Sequence, residues 1–119
     1  MIAKLCWGAL AAIHALPALA LARPSLLTSL YGVAPGTTSA LLLQHRAALF
    51  LVIVLICVWA SFRPEVRPLA AVAVGGSMIS FLLLWAAGGM PPELRTIAVV
   101  DLVGLPFLAI AAWQAFRSA

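Results

Sequence analysis

The chain has 119 residues, of which 66% are hydrophobic and only 8% are charged, and its mean hydropathy is +1.18. A soluble domain usually carries about a quarter charged residues, so this composition excludes an aqueous globular domain, intrinsic disorder and a small secreted disulfide scaffold. The net charge of +4 comes from isolated Lys and Arg residues. That pattern argues against a nucleic-acid partner and indicates that the partner is the lipid bilayer.

Four continuous apolar stretches are each long enough to cross a bilayer, which takes roughly 20 helical residues. They are separated by proline, which lacks the N–H that a helix needs, and by glycine, which favours helix ends. Because the stretches do not alternate between polar and apolar residues, they exclude a β-barrel. The sequence therefore predicts an all-α, four-transmembrane-helix bundle in a single membrane domain over 1–119, with helices at about 3–22, 39–62, 68–87 and 94–116.

The first apolar stretch also resembles a secretory signal, because it follows Lys4 and ends at Ala20-Leu21-Ala22. However, His14 and Pro17 interrupt it, and the apolar region of a signal is normally shorter. We therefore expect the first helix to be retained in the mature protein.

The longest connection joins helices one and two and runs from Arg23 to about Thr38. Within it, the residues from Pro24 to Gly32 predict a short interfacial helix, with Pro24 in its first turn and Gly32 at its end. Tyr31 would then lie at the level of the lipid head groups.

The third helix carries three small residues, Gly75, Gly76 and Ser80. Gly76 and Ser80 are four residues apart and so lie on one face of a helix. Small residues at this spacing let two helix backbones approach closely, which predicts a tight helix contact at this face.

The orientation follows from the distribution of Lys and Arg in the connections. With a cytoplasmic N-terminus, the inner side holds Lys4, Arg63, Arg67 and Arg117, and the outer side holds Arg23, Arg46 and Arg95. This bias favours cytoplasmic N- and C-termini in a bacterial inner membrane. Cys6 and Cys57 would then lie near the reducing side, where a structural disulfide is not expected.

Five polar residues lie inside the apolar stretches, where a charge costs roughly 2.5–3.5 kcal/mol on insertion scales. Three helices contribute them: His14, Gln44, His45, Arg46 and Asp101. At about 1.5 Å per helical residue, all five fall in the outer half of the membrane. We therefore predict a polar cluster at that depth.

Arg46 and Asp101 are the natural pair in this cluster, since a guanidinium fork matches a carboxylate. Two interpretations remain open. The pair either forms a salt bridge that locks helix two to helix four, or it lines a pocket that opens to the outer face.

The two histidines invite a haem or metal interpretation, but no C-x-x-C-H or H-E-x-x-H motif accompanies them. Haem is therefore disfavoured, and no metal site is predicted, because closed zinc sites require four ligands. A quinone or another lipid-like ligand needs only one or two polar anchors beside an apolar channel. Phosphate-binding and nucleophile motifs are also missing, so no catalytic residue is predicted.

Three short segments carry a resemblance to a known family: Leu30-Tyr31-Gly32, the stretch Gln44-His45-Arg46-Ala47-Ala48-Leu49-Phe50, and Arg95 followed by Ile97 to Asp101. Over essentially its whole length the chain resembles the DoxX-like superfamily of small bacterial four-helix membrane proteins. Members of the branch it resembles are often labelled phosphopantetheine adenylyltransferase, an activity that needs a soluble nucleotide-binding domain and does not fit this composition. One type of member is similar to the membrane subunit of a thiosulfate:quinone oxidoreductase, a resemblance that favours a quinone.

These observations favour a non-catalytic membrane protein, either an accessory subunit or a binder of a lipid-like molecule through the polar cluster. The alternative is a membrane subunit of a quinone-linked redox enzyme. An oligomeric transporter is less favoured, because inverted repeats and broken helices are not evident. A protein partner or a homo-oligomer is compatible with each of these functions.

Overall fold

A computed structural model of the protein describes residues 2–23, 25–34 and 36–117. Its helices are α1 (Ile2–Leu19), α2 (Ser25–Tyr31), α3 (Thr38–Phe62), α4 (Arg67–Ala87) and α5 (Arg95–Arg117). The four long helices are each long and apolar enough to cross a membrane, and the described residues contain no strand. The predicted all-α fold with four candidate transmembrane helices is therefore confirmed.

The observed helix ends lie within one residue of the predicted ones, except at the end of α1. That helix stops at Leu19 rather than near residue 22, two residues after Pro17. The three residues that follow form tight turns, in which the Ala20, Leu21 and Ala22 N–H groups donate to carbonyls three residues earlier. Such bonds are a common way for a helix end to satisfy its last carbonyls.

The short helix predicted between the first two spans is present as α2. It ends at Gly32, whose φ of +70° is the left-handed conformation that favours glycine after a helix. The Gly32 N–H donates to the Thr28 carbonyl at 2.9 Å, which closes this last turn. The predicted role of Pro24 lies outside the described residues.

Both ends of α3 are capped by side chains. At its start, the Thr37 hydroxyl accepts a hydrogen bond from the Ala40 N–H at 3.1 Å, an N-cap that satisfies one of the free amides of the first turn. At its end, Arg67 donates from Nε to the Ala60 carbonyl at 2.7 Å and from Nη2 to the Ser61 carbonyl at 3.0 Å. These are carbonyls that a helix end leaves without a partner in the helix.

The long helices form a ring in which α1 packs on α3 and α5, and α4 packs on α5. The side between α3 and α4 is packed less closely, although the one-turn 3₁₀ helix Pro64–Val66 joins them directly. We call the end that carries this connection the hairpin end, and the opposite one the α2 end. The two helices are therefore tied together at the hairpin end and leave space between them towards the α2 end.

A glycine lets three helices meet closely within the ring. A Cβ atom at Gly104 on α5 would lie 2.9 Å from Met78 Cε on α4 and 3.0 Å from Ile13 Cδ1 on α1. Both distances are shorter than ordinary contacts, so a side chain at residue 104 would have to displace the ends of these two side chains.

The small residues of α4 divide between two surfaces. Gly75 is buried, and a Cβ there would lie 3.7 Å from Leu108 Cδ2 on α5. Gly76 and Ser80 are exposed, and no atom described from another helix would lie within 4 Å of a Cβ at Gly76. Within the bundle, Gly75 rather than Gly76 therefore faces a neighbouring helix, and it does so at an ordinary contact distance.

The buried side chains form two clusters, one towards each end of the bundle. The cluster at the hairpin end contains the free thiols of Cys6 and Cys57, together with the fully buried Trp7. The cluster at the α2 end contains Tyr31, Phe81, Ile97 and alanines from α3, α5 and the α1–α2 turn. Tyr31 and Phe81 of the second cluster lie beside Arg46, one of the five polar residues predicted to form a site.

Candidate ligand site at the α2 end

The structure separates the five predicted polar residues by exposure. His14 and Asp101 are buried, at 1% and 6% exposure. Gln44 and Arg46 are half-buried, whereas His45 is exposed. Successive residues of an α-helix point about 100° apart, so His45 cannot share the inward face that Arg46 occupies.

The Arg46 guanidinium lies between two aromatic rings. Its Cζ atom is 4.9 Å from the ring centroid of Phe50, one turn further along α3, and 4.9 Å from that of Phe81 on α4. Both distances are typical of cation–π contacts. The Nε atom is buried and makes no hydrogen bond to any described residue.

Tyr31, which the sequence predicts to lie at the level of the lipid head groups, lies beside this guanidinium. The residue is buried at the α2 end, where the last turn of α2 packs against the bundle. Burial raises the pKa of the Tyr31 hydroxyl above its ordinary value, and the positive charge of Arg46 opposes part of that rise. The sequence feature that indicates this contact with Arg46 is the position of Tyr31 in the short helix that precedes α3.

Arg46 and Asp101 do not form the salt bridge that was one interpretation of the pair. Among the described residues, the ion pair closer than 4.0 Å joins Arg63 Nη1 and Glu65 Oε1 at 3.4 Å, on exposed side chains in the hairpin. The two side chains line different cavities. A direct lock between α3 and α5 through this pair is therefore not made.

Asp101 faces a small cavity of about 20 Å³ between α1 and α5, which Ile13 and Pro17 also line. A cavity of this size holds about one water molecule. Pro17 has no N–H, so the carbonyl of Ile13, four residues earlier, lacks its usual helical donor. This cavity can therefore hold a small polar group, such as a water molecule, between the Asp101 carboxyl group and helix α1.

His14 is fixed by its own helix. Its Nδ1 atom bonds to the Leu10 carbonyl at 2.8 Å, so in the neutral ring Nδ1 carries the proton and Nε2 is an acceptor. Nε2 is buried and has no partner among the described residues. The ring centroid lies 5.8 Å from that of Phe50, which therefore contacts both His14 and Arg46.

The space between α3 and α4 is a cleft of about 540 Å³. Arg46 contributes its guanidinium, and most of the wall consists of aliphatic and aromatic side chains; the lining residues that matter below are Phe50, Ser77, Ser80, Phe81 and Trp85. Trp85 is held in place because its Nε1 donates to the Pro91 carbonyl at 3.1 Å. The exposed side chains of Leu49, Val52 and Leu84 also line it, so the cleft opens sideways onto the outer surface of the bundle.

The site offers a hydrogen-bonding cation beside a long apolar wall. Among the described residues, no three His, Cys, Asp or Glu side chains lie close enough together to hold a metal ion. The arrangement can therefore bind a molecule with one polar end and one apolar end.

The fold places the chain in the class of multi-pass, all-α membrane proteins, on the length and apolar character of its four long helices. No family model, curated protein or solved structure matches the chain.

Proposed function

We propose that the protein is a non-catalytic integral membrane protein that binds a lipid-like amphiphile in the cleft between α3 and α4. The observation that carries this proposal is the cleft itself, with a volume of about 540 Å³ and the Arg46 guanidinium in an apolar wall. Ligand sites typically measure 300–1,000 Å³ and combine an apolar lining with a few polar anchors. An amphiphile matches both features, with its chain along the wall and its head at Arg46.

The position of the cleft supports entry from the bilayer. It lies on the loosely packed side of the ring, and exposed Leu49, Val52 and Leu84 line it. Because these side chains face the region that lipid chains occupy around a transmembrane helix, an amphiphile reaches the cleft without crossing water.

The motifs and charges described above support a finer placement of the protein. Leu30-Tyr31-Gly32 and the stretch that begins at Gln44 support membership of the DoxX-like superfamily. The positions of Lys and Arg support a bacterial inner membrane with both termini in the cytoplasm. Under this orientation Arg46 lies in the outer leaflet.

A quinone-linked redox subunit would use the same cleft, since a quinone has an apolar tail and carbonyl oxygens that accept hydrogen bonds from arginine. The identity of the bound molecule separates the two functions. A quinone in the site would favour the redox subunit, and a non-redox lipid would favour the binding protein.

The test is to solubilise the protein in a mild detergent and to quantify its organic extract by mass spectrometry. We expect one amphiphile at close to one molecule per chain. Ser80→Phe adds an aromatic ring to the cleft wall and should remove that molecule. Val72→Phe adds the same ring to an exposed residue of α4 that does not line the cleft, and should retain it. Bulk lipid alone, in equal amounts from all three proteins, would overturn the proposal.

A further inference from the structure

We infer that the amphiphile is an anionic membrane lipid, whose oxyanion lies against the Arg46 guanidinium. The inference rests on the proposed function and adds the charge of the ligand to it.

The first argument is the charge balance of the cleft. Among the described residues that line it, Arg46 alone is charged. The nearby carboxyl of Asp101 faces the cavity between α1 and α5 and is not within salt-bridge distance of Arg46. A cation in an apolar environment is costly unless it has a counterion and hydrogen-bond acceptors. The cleft therefore has a place for a negative charge.

The second argument is the unused hydrogen-bonding capacity of the guanidinium. Phe50 and Phe81 flank Arg46 and favour its positive charge. Neither ring offers a lone pair, and among the described residues the polar side chain beside the guanidinium is Tyr31, a single neutral hydroxyl. A guanidinium has five N–H donors, and donors left unpaired in an apolar site are unfavourable. A phosphate or carboxylate supplies the acceptor and the charge together, often through two parallel hydrogen bonds to arginine.

The third argument concerns the alternatives. A neutral head group such as a carbonyl would accept a hydrogen bond from Arg46 but would leave its charge without a counterion in the cleft. A free phosphate ion would supply the charge but would make no use of the apolar wall, and it would have to reach a cleft that opens onto lipid chains. The lipid-borne oxyanion alone accounts for both the charged and the apolar parts of the site.

Trp85 provides a local readout for the test, because it lines the cleft. In a Trp59→Phe, Trp113→Phe background the remaining tryptophans are Trp85 and the fully buried Trp7 at the hairpin end. The probes are phosphatidic acid and diacylglycerol with identical brominated chains, which quench nearby indole fluorescence and differ only in the phosphate. We expect phosphatidic acid to quench Trp85 at a concentration at least about tenfold lower than diacylglycerol.

Two variants test the role of the guanidinium. Arg46→Gln should abolish the preference while leaving the weaker binding of diacylglycerol, because the apolar wall is unchanged. Arg46→Lys should keep a reduced preference, since it retains the charge and loses the planar fork. The comparison of the two lipids on the unchanged Arg46 decides the inference even if a variant fails to fold.

The outcomes distinguish the two proposals. Equal affinity for the two lipids at an intact Arg46 would overturn the anionic ligand and leave the binding function standing. Quenching of Trp85 by neither lipid would overturn the binding function as well. Displacement of phosphatidic acid by inorganic phosphate at a concentration no higher than that of the lipid would show that the site takes a free anion and would overturn the lipid.

Discussion

Gly104 shows how much the packing of this bundle depends on a single residue. It lies on α5 where α1 and α4 both approach, and a Cβ there would lie 2.9 Å from Met78 and 3.0 Å from Ile13. The atoms in question are the ends of flexible side chains, so a methyl group is accommodated more easily than a branched one. Overpacking of a well-filled interior typically costs about 1–3 kcal/mol.

We expect Gly104→Val to lower the free energy of unfolding by about 1–3 kcal/mol, and Gly104→Ala to lower it by less. Gly76→Val is the matched control, because Gly76 lies in a helix interior but has open space at its Cβ. The measurement is unfolding in mixed micelles of increasing denaturing detergent. Equal destabilisation by the two valine substitutions would show that the three-helix contact at Gly104 does not set the effect, since valine is a better helix former than glycine at both positions.

The separation of Arg46 and Asp101 predicts a weak energetic coupling between the two side chains. Because the two side chains line separate cavities and make no salt bridge, we expect Arg46→Gln and Asp101→Asn to show a coupling free energy below about 1 kcal/mol in a double-mutant cycle. Residues in direct contact show couplings of about 0.5–3 kcal/mol. A coupling above about 2 kcal/mol would restore the direct salt bridge as the interpretation.

In the connection between α3 and α4, the first residue of α4 caps the end of α3. Arg67, the first residue of α4, donates two hydrogen bonds to the last carbonyls of α3. Its neighbour Arg63 makes only an exposed ion pair with Glu65. Hydrogen bonds to a charged group contribute about 1.5–3 kcal/mol, whereas exposed ion pairs contribute at most about 1 kcal/mol.

We therefore expect Arg67→Ala to lower the free energy of unfolding by about 1–3 kcal/mol and Arg63→Ala to change it by less than about 0.5 kcal/mol. The two substitutions remove the same charge within the same hairpin, so their comparison separates the contacts of the Arg67 guanidinium from the charge itself. The same detergent titration measures both. A similar loss for the two variants would point to the shared charge instead of the cap.

The helices could be predicted from the sequence, because their signals are local. The length of each apolar stretch and the Pro and Gly residues between stretches place seven of the eight ends within one residue. The end of α1 was placed too late, since Pro17 and the turns at 20–22 interrupt a stretch that stays apolar in sequence. Composition alone does not report such a change in hydrogen bonding.

The site was predicted in part, because its geometry depends on helix rotation and on long-range packing. Depth along a helix follows from residue counting, so Arg46 and Asp101 could be placed at one level. The rotation that turns Arg46 towards Phe81 and leaves His45 exposed is set by contacts between helices. Tyr31 reaches Arg46 only because α2 packs against the bundle. The cleft itself arises from loose packing between α3 and α4, which no single segment encodes.

The orientation of the whole protein in the membrane decides which leaflet supplies the ligand. Four spans place the two termini on the same side, and Lys4, Arg63, Arg67 and Arg117 all lie towards the hairpin end. Because positively charged connections are retained in the cytoplasm, we expect a fluorescent reporter fused at the C-terminus to fold there. A reporter that is active only after export should be inactive at the same position.

Charge substitution in the hairpin tests the cause of this orientation. Arg63→Gln with Arg67→Gln removes two of the four positive charges of that end, and should produce a fraction of molecules with the exported reporter active. Arg23→Gln removes a charge from the opposite end and should leave the orientation unchanged or strengthen it. An exported C-terminus in the unaltered protein would reverse the expectation and would place Arg46 and the cleft in the cytoplasmic leaflet. The lipids available to the site would then be those of that leaflet, which is why the topology and the identity of the bound amphiphile need to be measured together.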